Sequence, residues 1–448
     1  MRVVWLLLFT LLVPFGTSPL IADPANATWD AHPTPTDGEL DKIQIIIPFY
    51  EGIMIDDPCA SLPSIGLQQF ELSYPGPMSA PLAAWRFQDG PWTLILADSL
   101  DAIPIAFDLD AKKNSLELKL KAMAPCKFLT LKVDGDWKDV ALAARKYWEV
   151  KKRHEPLASR FDRVEFLVHQ WVADQPPPLR TDWSIEQLCV EMRRTSDRAL
   201  VHIYGWDPGG IDLGGRYFWS EGSQADCRKV IAANPKVSQL AWLNLRTYKT
   251  AIPRLGIELT PPDEDHRTMA RVDTKGVMTE TGAFDATDMC LASEGWQQSR
   301  LEQFDRLAAA GFKVVQIDEF PIAAPWHIDP CLAKNHLHRP ADPVDEWSYI
   351  RKFLIELSQR ADKAGVLLTC EEPSAALLPY VCGYIDRQYN NSIDIYGKWT
   401  QSPKIKTVPF FSEMFHDICT PYTDADELNP ARTPPTTWLE AHKHYPAK

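Results

Sequence analysis

The chain has 448 residues, 45% of them hydrophobic, and a formal net charge of −13 with a pI near 5.4. That length is too great for one small core and suggests two domains, one of them large, while the ordinary apolar fraction argues against disorder. The acidic balance leaves no basic stripe to neutralise phosphates or to meet an anionic bilayer, which excludes nucleic acid and such surfaces as partners.

Arg2 and the uncharged, leucine-rich run from Val3 to Phe15 read as an export signal over 1–22, with cleavage points at Gly16-Thr17-Ser18 or Ala22. The run is shorter than the roughly 20 residues needed to span a bilayer. Cleavage, no stable membrane insertion afterwards, and a secreted, periplasmic or extracellular location are therefore expected. Asn26-Ala27-Thr28 and Asn390-Asn391-Ser392 fit the glycosylation acceptor pattern. Nine cysteines occur with no Cys-x-x-Cys pair. Export permits disulfides, the odd count leaves at least one thiol over, and no pairing can be assigned.

A polar, proline-rich lead-in occupies 23–42. From 43 to 136, short alternating segments are separated by turn residues, as in Trp92 to Leu96, Ile103 to Phe107, Leu116 to Lys121 and Leu129 to Val133. Such spacing predicts a small antiparallel β-sandwich-like accessory domain. A linking helix is expected over 137–160, running from Trp137 to about Lys152. Asp136 is its possible N-cap, with Val140, Ala144, Tyr147 and Trp148 on one side.

Strands then alternate with helices, which predicts an α/β fold of the (β/α)8 TIM-barrel type over 161–420. Val164 to Trp171, Leu200 to Asp207 and Leu240 to Arg246 are its first three strands. Two long amphipathic segments, Trp296 to Ala310 and the one carrying Trp347, Ile350, Leu354, Leu357 and Ala361, stop at Gly311 and Gly365. Each feeds a buried strand ending in acids: Phe312 to Ile317 delivers Asp318-Glu319, and Val366 to Cys370 delivers Glu371-Glu372. Gly383 to Asp386 and Val408 to Glu413 are weaker sixth and seventh strands. No eighth strand is legible before the proline-rich tail at 421–448, so the barrel reads as incomplete at its C-terminus.

Parallel α/β architectures place chemistry at the carboxyl ends of their strands. Two acids at two such ends are what glycosidic bond cleavage requires. Asp318 is the expected nucleophilic or charge-stabilising carboxylate. Glu371 or Glu372 is the expected general acid, with Glu371 preferred because alternation aims only one of them at the barrel mouth. Glu319 is expected to alternate away. Tyr204, Trp206 and Asp207 end the second strand, where Asp207 can bind adjacent sugar hydroxyls and the aromatics can form a stacking platform. Asn244 and Arg246 end the third, and His416 and Asp417 the seventh. His327, Cys331, His336 and His338 crowd the loop after Asp318, but their spacing matches no metal pattern. No metal or other cofactor is therefore expected, and the loop reads as substrate-lining, with a histidine hydrogen-bonded to a sugar hydroxyl. Neither a Gly-x-Ser-x-Gly elbow nor a phosphate or dinucleotide fingerprint is present.

On these residues the chain resembles a family of exported, uncharacterised glycoside-hydrolase-like barrel proteins. The matching landmarks are Gln316-Ile317-Asp318, Cys331 with His336-Leu337-His338, Thr369-Cys370-Glu371, Tyr204 to Asp207 and the Trp-rich linking helix. The layout is also similar to that of the α-amylase and endo-α-N-acetylgalactosaminidase families. That similarity implies Asp318 as nucleophile, Glu371 as proton donor, His416-Asp417 in the place of a third, transition-state-stabilising acid, and a retaining outcome. Glu372 departs from the pattern, where a small residue is expected. The function expected is hydrolysis of an O-glycosidic bond in an oligosaccharide or glycoconjugate. The alternatives are a catalytically silent carbohydrate-binding barrel and a metal-dependent hydrolase built on the histidine loop.

Overall fold

The structure is a computed structural model and describes residues 28–31, 40–101, 103–112, 115–150, 153–161, 163–168, 199–204, 228–229, 231–248, 251–252, 257–258, 265–273, 275–276, 280–281, 286–321, 330–385 and 402–422. The export segment lies outside these residues. No helix among the described residues is long and apolar enough to cross a membrane.

The alternating segments of the N-terminal third form two antiparallel sheets. One has the order Thr28–Ala31, Ser115–Ala122, Ile105–Lys112, Gln69–Tyr74. The other runs Ile405–Thr407, Ile53–Asp56, Ile43–Ile47, Leu82–Phe87, Trp92–Ala97, Phe128–Val133. Period-two patterning decides which face is covered: Leu116, Leu118, Leu120 and Ala122 are buried, while Lys121 is exposed. Two strands were not anticipated. Thr28–Ala31, inside the polar lead-in, pairs antiparallel with Leu118 to Lys121. An edge strand needs backbone partners on one side only, so its sequence carries little hydrophobic signal. Ile405–Thr407, from the far end of the chain, covers the edge at Ile53 to Ile55.

The linking helix is shorter than expected, Trp137–Tyr147, and Asp136 caps it by accepting from the Lys138 amide at 2.8 Å. Val140, Ala141 and Ala144 are buried, but Tyr147 stays 39% exposed.

The second unit is a seven-stranded parallel sheet in simple sequence order: Arg163–Val168, Ala199–Tyr204, Ser238–Asn244, Val314–Asp318, Leu367–Cys370, Gly383–Ile385, Thr420–Tyr422. Among the described residues there is no eighth strand and no pairing between the first strand and the last, so the closed eight-stranded barrel is not what they form. The seventh strand also differs from expectation. Phe410–Phe415 is a helix, because Phe410, Phe411, Met414 and Phe415 are buried at helical spacing, and the strand is Thr420–Tyr422 instead. The helices Glu294–Ala310 and Pro343–Ala364 end at Gly311 (φ 105) and Gly365 (φ 67), where a left-handed residue turns the chain into the next strand.

Alternation divides the parallel sheet into two faces with separate cores. Val201, Ala241, Leu243, Val315, Ile317, Leu368 and Cys370 join the large core shared with the long helices. Leu200, Leu240, Trp242, Val314, Leu367, Ile385 and Tyr422 join a second, smaller cluster on the opposite face. Along that second face, residues succeed one another in layers. Val314 pairs in register with Leu240 and Leu367, Gln316 with Trp242 and Thr369, and Asp318 with Asn244. The middle layer carries a polar chain: the Tyr422 hydroxyl donates to Gln316 Oε1 at 2.7 Å and receives from Thr369 Oγ1 at 2.7 Å. Layered side chains of this kind fill barrel interiors.

Candidate active site

The top layer of that face, at the carboxyl ends of three adjacent strands, holds Asn244, Asp318 and Glu371. Asp318 is the last residue of its strand, 3% exposed, and its Oδ2 accepts from Asn244 Nδ2 at 3.3 Å. Asn244 is itself anchored, because its Oδ1 accepts from the backbone amides of Arg246 at 2.9 Å and Thr247 at 2.8 Å. Its side-chain amide is thereby turned so that the nitrogen faces the carboxylate. Below it, Arg300, fully buried against the Trp296 ring, donates to the Asn244 carbonyl at 3.2 Å. The carboxylate therefore sits on a rigid, hydrogen-bonded platform.

Glu371 follows the neighbouring strand, is 6% exposed, and its Oε2 accepts from the backbone amide of Glu319, the residue immediately after Asp318. The chain segments that carry the two acids thus lie side by side at one strand-end edge. Glu319 enters the same neighbourhood, contrary to the expectation that it alternates away. The strand stops at Asp318, and Glu319 takes a left-handed backbone (φ 53), which breaks the alternation. Burial raises the Glu319 carboxyl above its ordinary value, against the opposing pull of Thr247, the Arg246 guanidinium and Asn244. Arg246 is held in turn by Asp288, with Nε at 2.7 Å from Oδ1 and an Nη2 contact at 3.1 Å to Oδ2.

The remaining predicted residues divide. Glu372 is fully buried, and the Cys370 thiol donates to its carbonyl at 3.1 Å. His416 caps the Phe410–Phe415 helix and interacts with the Ser412 carbonyl at 3.0 Å, while Asp417 pairs with Arg145 of the linking helix at 3.4 Å. The expected third acid is therefore part of a helix–helix contact, a consequence of Val408 to Glu413 being no strand. Tyr204 ends the Ala199–Tyr204 strand, and Trp206 and Asp207 lie outside the described residues, as does His327.

His336 and His338 do not turn to the acids. They face Cys290 and Cys331, and the ligand-type atoms of all four residues lie within 4.8 Å of one another. The expectation of no metal rested on the spacing within 327–338 alone. It missed Cys290, which stands 48 positions before His338 in the chain. Glu319, Arg300, Asp288 and Cys290 are the participants that periodicity did not reveal. Only Glu319 had a local signal, its position directly after a strand-end aspartate.

Comparison with known proteins follows this geometry. The family described as a domain of unknown function, DUF6259, matches residues 123–423. No curated protein matches the chain. Among solved structures, the ligand-free α-N-acetylgalactosaminidase NagBb from Bifidobacterium bifidum is similar with a TM-score of 0.63 at 14% identity, covering 90% of this chain and 74% of that one. Its GalNAc complex gives a TM-score of 0.59 at 14% identity, with 88% and 66% coverage. The Thermus thermophilus α-galactosidase TtGalA, in complex with p-nitrophenyl α-D-galactopyranoside, gives 0.52 at 13% identity, with 86% and 74% coverage. These neighbours in fold are glycosidases; the likeness is to their fold and lends nothing to an α-amylase-like layout. At such identities the likeness concerns the fold, whereas the sequence match spans most of the chain: the protein belongs to the DUF6259 family.

Proposed function

We propose that the protein is a glycoside hydrolase that cleaves an α-linked galactoside or N-acetylgalactosaminide by a retaining, two-carboxylate mechanism. One observation carries the assignment: Asp318 and Glu371 end neighbouring parallel strands, and the Glu371 carboxylate reaches the amide next to Asp318. The type of sugar is suggested by what the neighbours in fold are named for.

Asp318 attacks the anomeric carbon as the bond to the leaving oxygen breaks, and Glu371 gives that oxygen its proton. Glu371, now ionised, then takes a proton from water as the water displaces Asp318 and frees the sugar. Asn244 holds Asp318 in one rotamer, so little reorganisation is needed at the moment of attack.

The test uses p-nitrophenyl α-galactoside and its N-acetylgalactosamine counterpart. Asp318→Asn lowers kcat by more than about 1,000-fold while the circular dichroism spectrum stays native. In Asp318→Ala, azide restores turnover and yields the glycosyl azide of opposite anomeric configuration. Undiminished turnover in Asp318→Asn removes the nucleophile assignment. A wild-type chain that binds these sugars and never cleaves them is a carbohydrate-binding barrel instead.

A further inference from the structure

We propose that Cys290, Cys331, His336 and His338 form a closed, tetrahedral zinc site that staples the loop after Asp318 to the segment carrying Asp288. The site is independent of the glycosidase assignment, and its test does not read activity.

Distances are the first support. Cys290 Sγ lies 3.5 Å from His338 Nε2, and Cys331 Sγ lies 3.6 Å from His336 Nδ1. Around a tetrahedral zinc with Zn–S of about 2.3 Å and Zn–N of about 2.0–2.1 Å, neighbouring sulfur and nitrogen ligands stand roughly 3.5 Å apart. Both pairs already have the separation the ion imposes. All four ligand atoms fall within 4.8 Å of one another.

Ring orientation is the second and independent support. His336 Nε2 lies 2.9 Å from the Thr268 carbonyl oxygen, and His338 Nδ1 lies 2.8 Å from the Arg339 carbonyl oxygen. A carbonyl oxygen can only accept, so in each neutral ring the proton sits on the nitrogen facing outward. The lone pairs of His336 Nδ1 and His338 Nε2 then point inward at the two sulfurs. Zinc-ligating histidines are oriented in this way by carbonyl partners on their other nitrogen. A disulfide between Cys290 and Cys331 would use the sulfurs alone and leave that orientation without a purpose.

The donor set selects the metal and the role. Two thiolates and two imidazoles suit zinc, and four protein ligands leave no open position for water, so the site is structural and not hydrolytic. The histidine loop is accordingly no basis for a metal-dependent hydrolase. Charge also balances: a zinc dication with two thiolates is neutral. Beside it, the buried guanidinium of Arg271 pairs with Glu346 and lies 4.0 Å from Asp288, which holds Arg246. Glu346 Oε1 is 3.6 Å from Cys290 Sγ, so Arg271 also offsets the carboxylate facing that sulfur. The ion would fix Asp288, hence Arg246, behind Glu319 and Asn244.

Full-length protein purified without chelator is expected to hold about one zinc per chain by elemental analysis. Cys290→Ser and Cys331→Ser each lower that content at least about tenfold. As these variants can misfold, the second measurement uses the wild-type chain, reduced and stripped of metal. Cobalt(II) added to it gives intense visible bands of tetrahedral coordination and a thiolate-to-cobalt charge-transfer band, which added zinc abolishes. A folded, reduced chain that yields no such bands overturns the proposal. So does full zinc content in Cys290→Ser, or a Cys290–Cys331 disulfide found in non-reduced peptides.

Discussion

Glu371 is held by a backbone contact in a place where its work can be divided from that of Asp318. Its Oε2 takes the amide of Glu319, which draws the side chain toward the neighbouring strand end and away from the core around Cys370. If Glu371 protonates the leaving oxygen, its loss should matter in proportion to how much help that oxygen needs. Glu371→Gln is expected to lower kcat/KM about 10²–10⁴-fold on natural α-glycosides. On p-nitrophenyl glycosides, whose leaving group departs without a proton, the first step should fall far less. Equal losses on both substrate classes would remove the acid role and leave Glu371 as a residue that positions Glu319.

Each helix-to-strand junction beneath the acids turns on one glycine, and the two junctions differ in what surrounds it. Gly365 has φ 67 and nothing within 4 Å of a built Cβ, so alanine there meets only the left-handed backbone strain of about 1–2 kcal/mol. Gly311 has φ 105, farther from the left-handed well, and its Cβ would lie 3.1 Å from Ile231 Cγ2. Gly311→Ala is therefore expected to lower Tm by more than Gly365→Ala, with both variants folded. Urea denaturation checks the order, and equal midpoints would show that Ile231 yields freely. The Gly311 variant should also lose more turnover, because that junction leads directly into the Asp318 strand.

At the scale of the whole molecule, a buried carboxylate joins the antiparallel unit to the parallel one. Glu51, fully buried, accepts from the Tyr384 hydroxyl, from the Ser412 amide at 2.9 Å and from the Ser412 hydroxyl at 2.8 Å. Burial outweighs these hydrogen bonds and raises its carboxyl above the ordinary value. With the folded value raised, the folded chain holds the proton more tightly than the unfolded one. The contribution to stability is then complete below the ordinary glutamate range and declines as pH rises through the raised value. Glu51→Gln cannot ionise. Its oxygen can keep the Ser412 amide while its nitrogen donates to the two hydroxyls. Across about pH 4.5–8, the Tm of the variant should gain on that of the wild type as pH increases. Parallel Tm curves would show that Glu51 titrates alike in both states. The late strand Ile405–Thr407, seated on the antiparallel sheet at Ile53 to Ile55, ties the same two units by backbone pairing.

Local pattern alone determined the strand-rich first third, the two long helices with their glycine stops, and the acids delivered at Asp318 and Glu371, since hydrophobic period and capping chemistry are written within a few residues. Tertiary structure decided everything that depends on who stands beside whom. Phe410 to Phe415 is apolar enough to read as a strand, and only its burial against the core makes it a helix and sends Asp417 to Arg145. Glu319 joins the acids because the backbone turns after Asp318, an event no alternation rule contains. Cys290 meets His338 across 48 positions, and Thr28–Ala31 and Ile405–Thr407 complete sheets far from their neighbours in sequence. Contacts of that range are paid for in chain entropy by the fold as a whole, so they leave no periodic mark on the segments that make them.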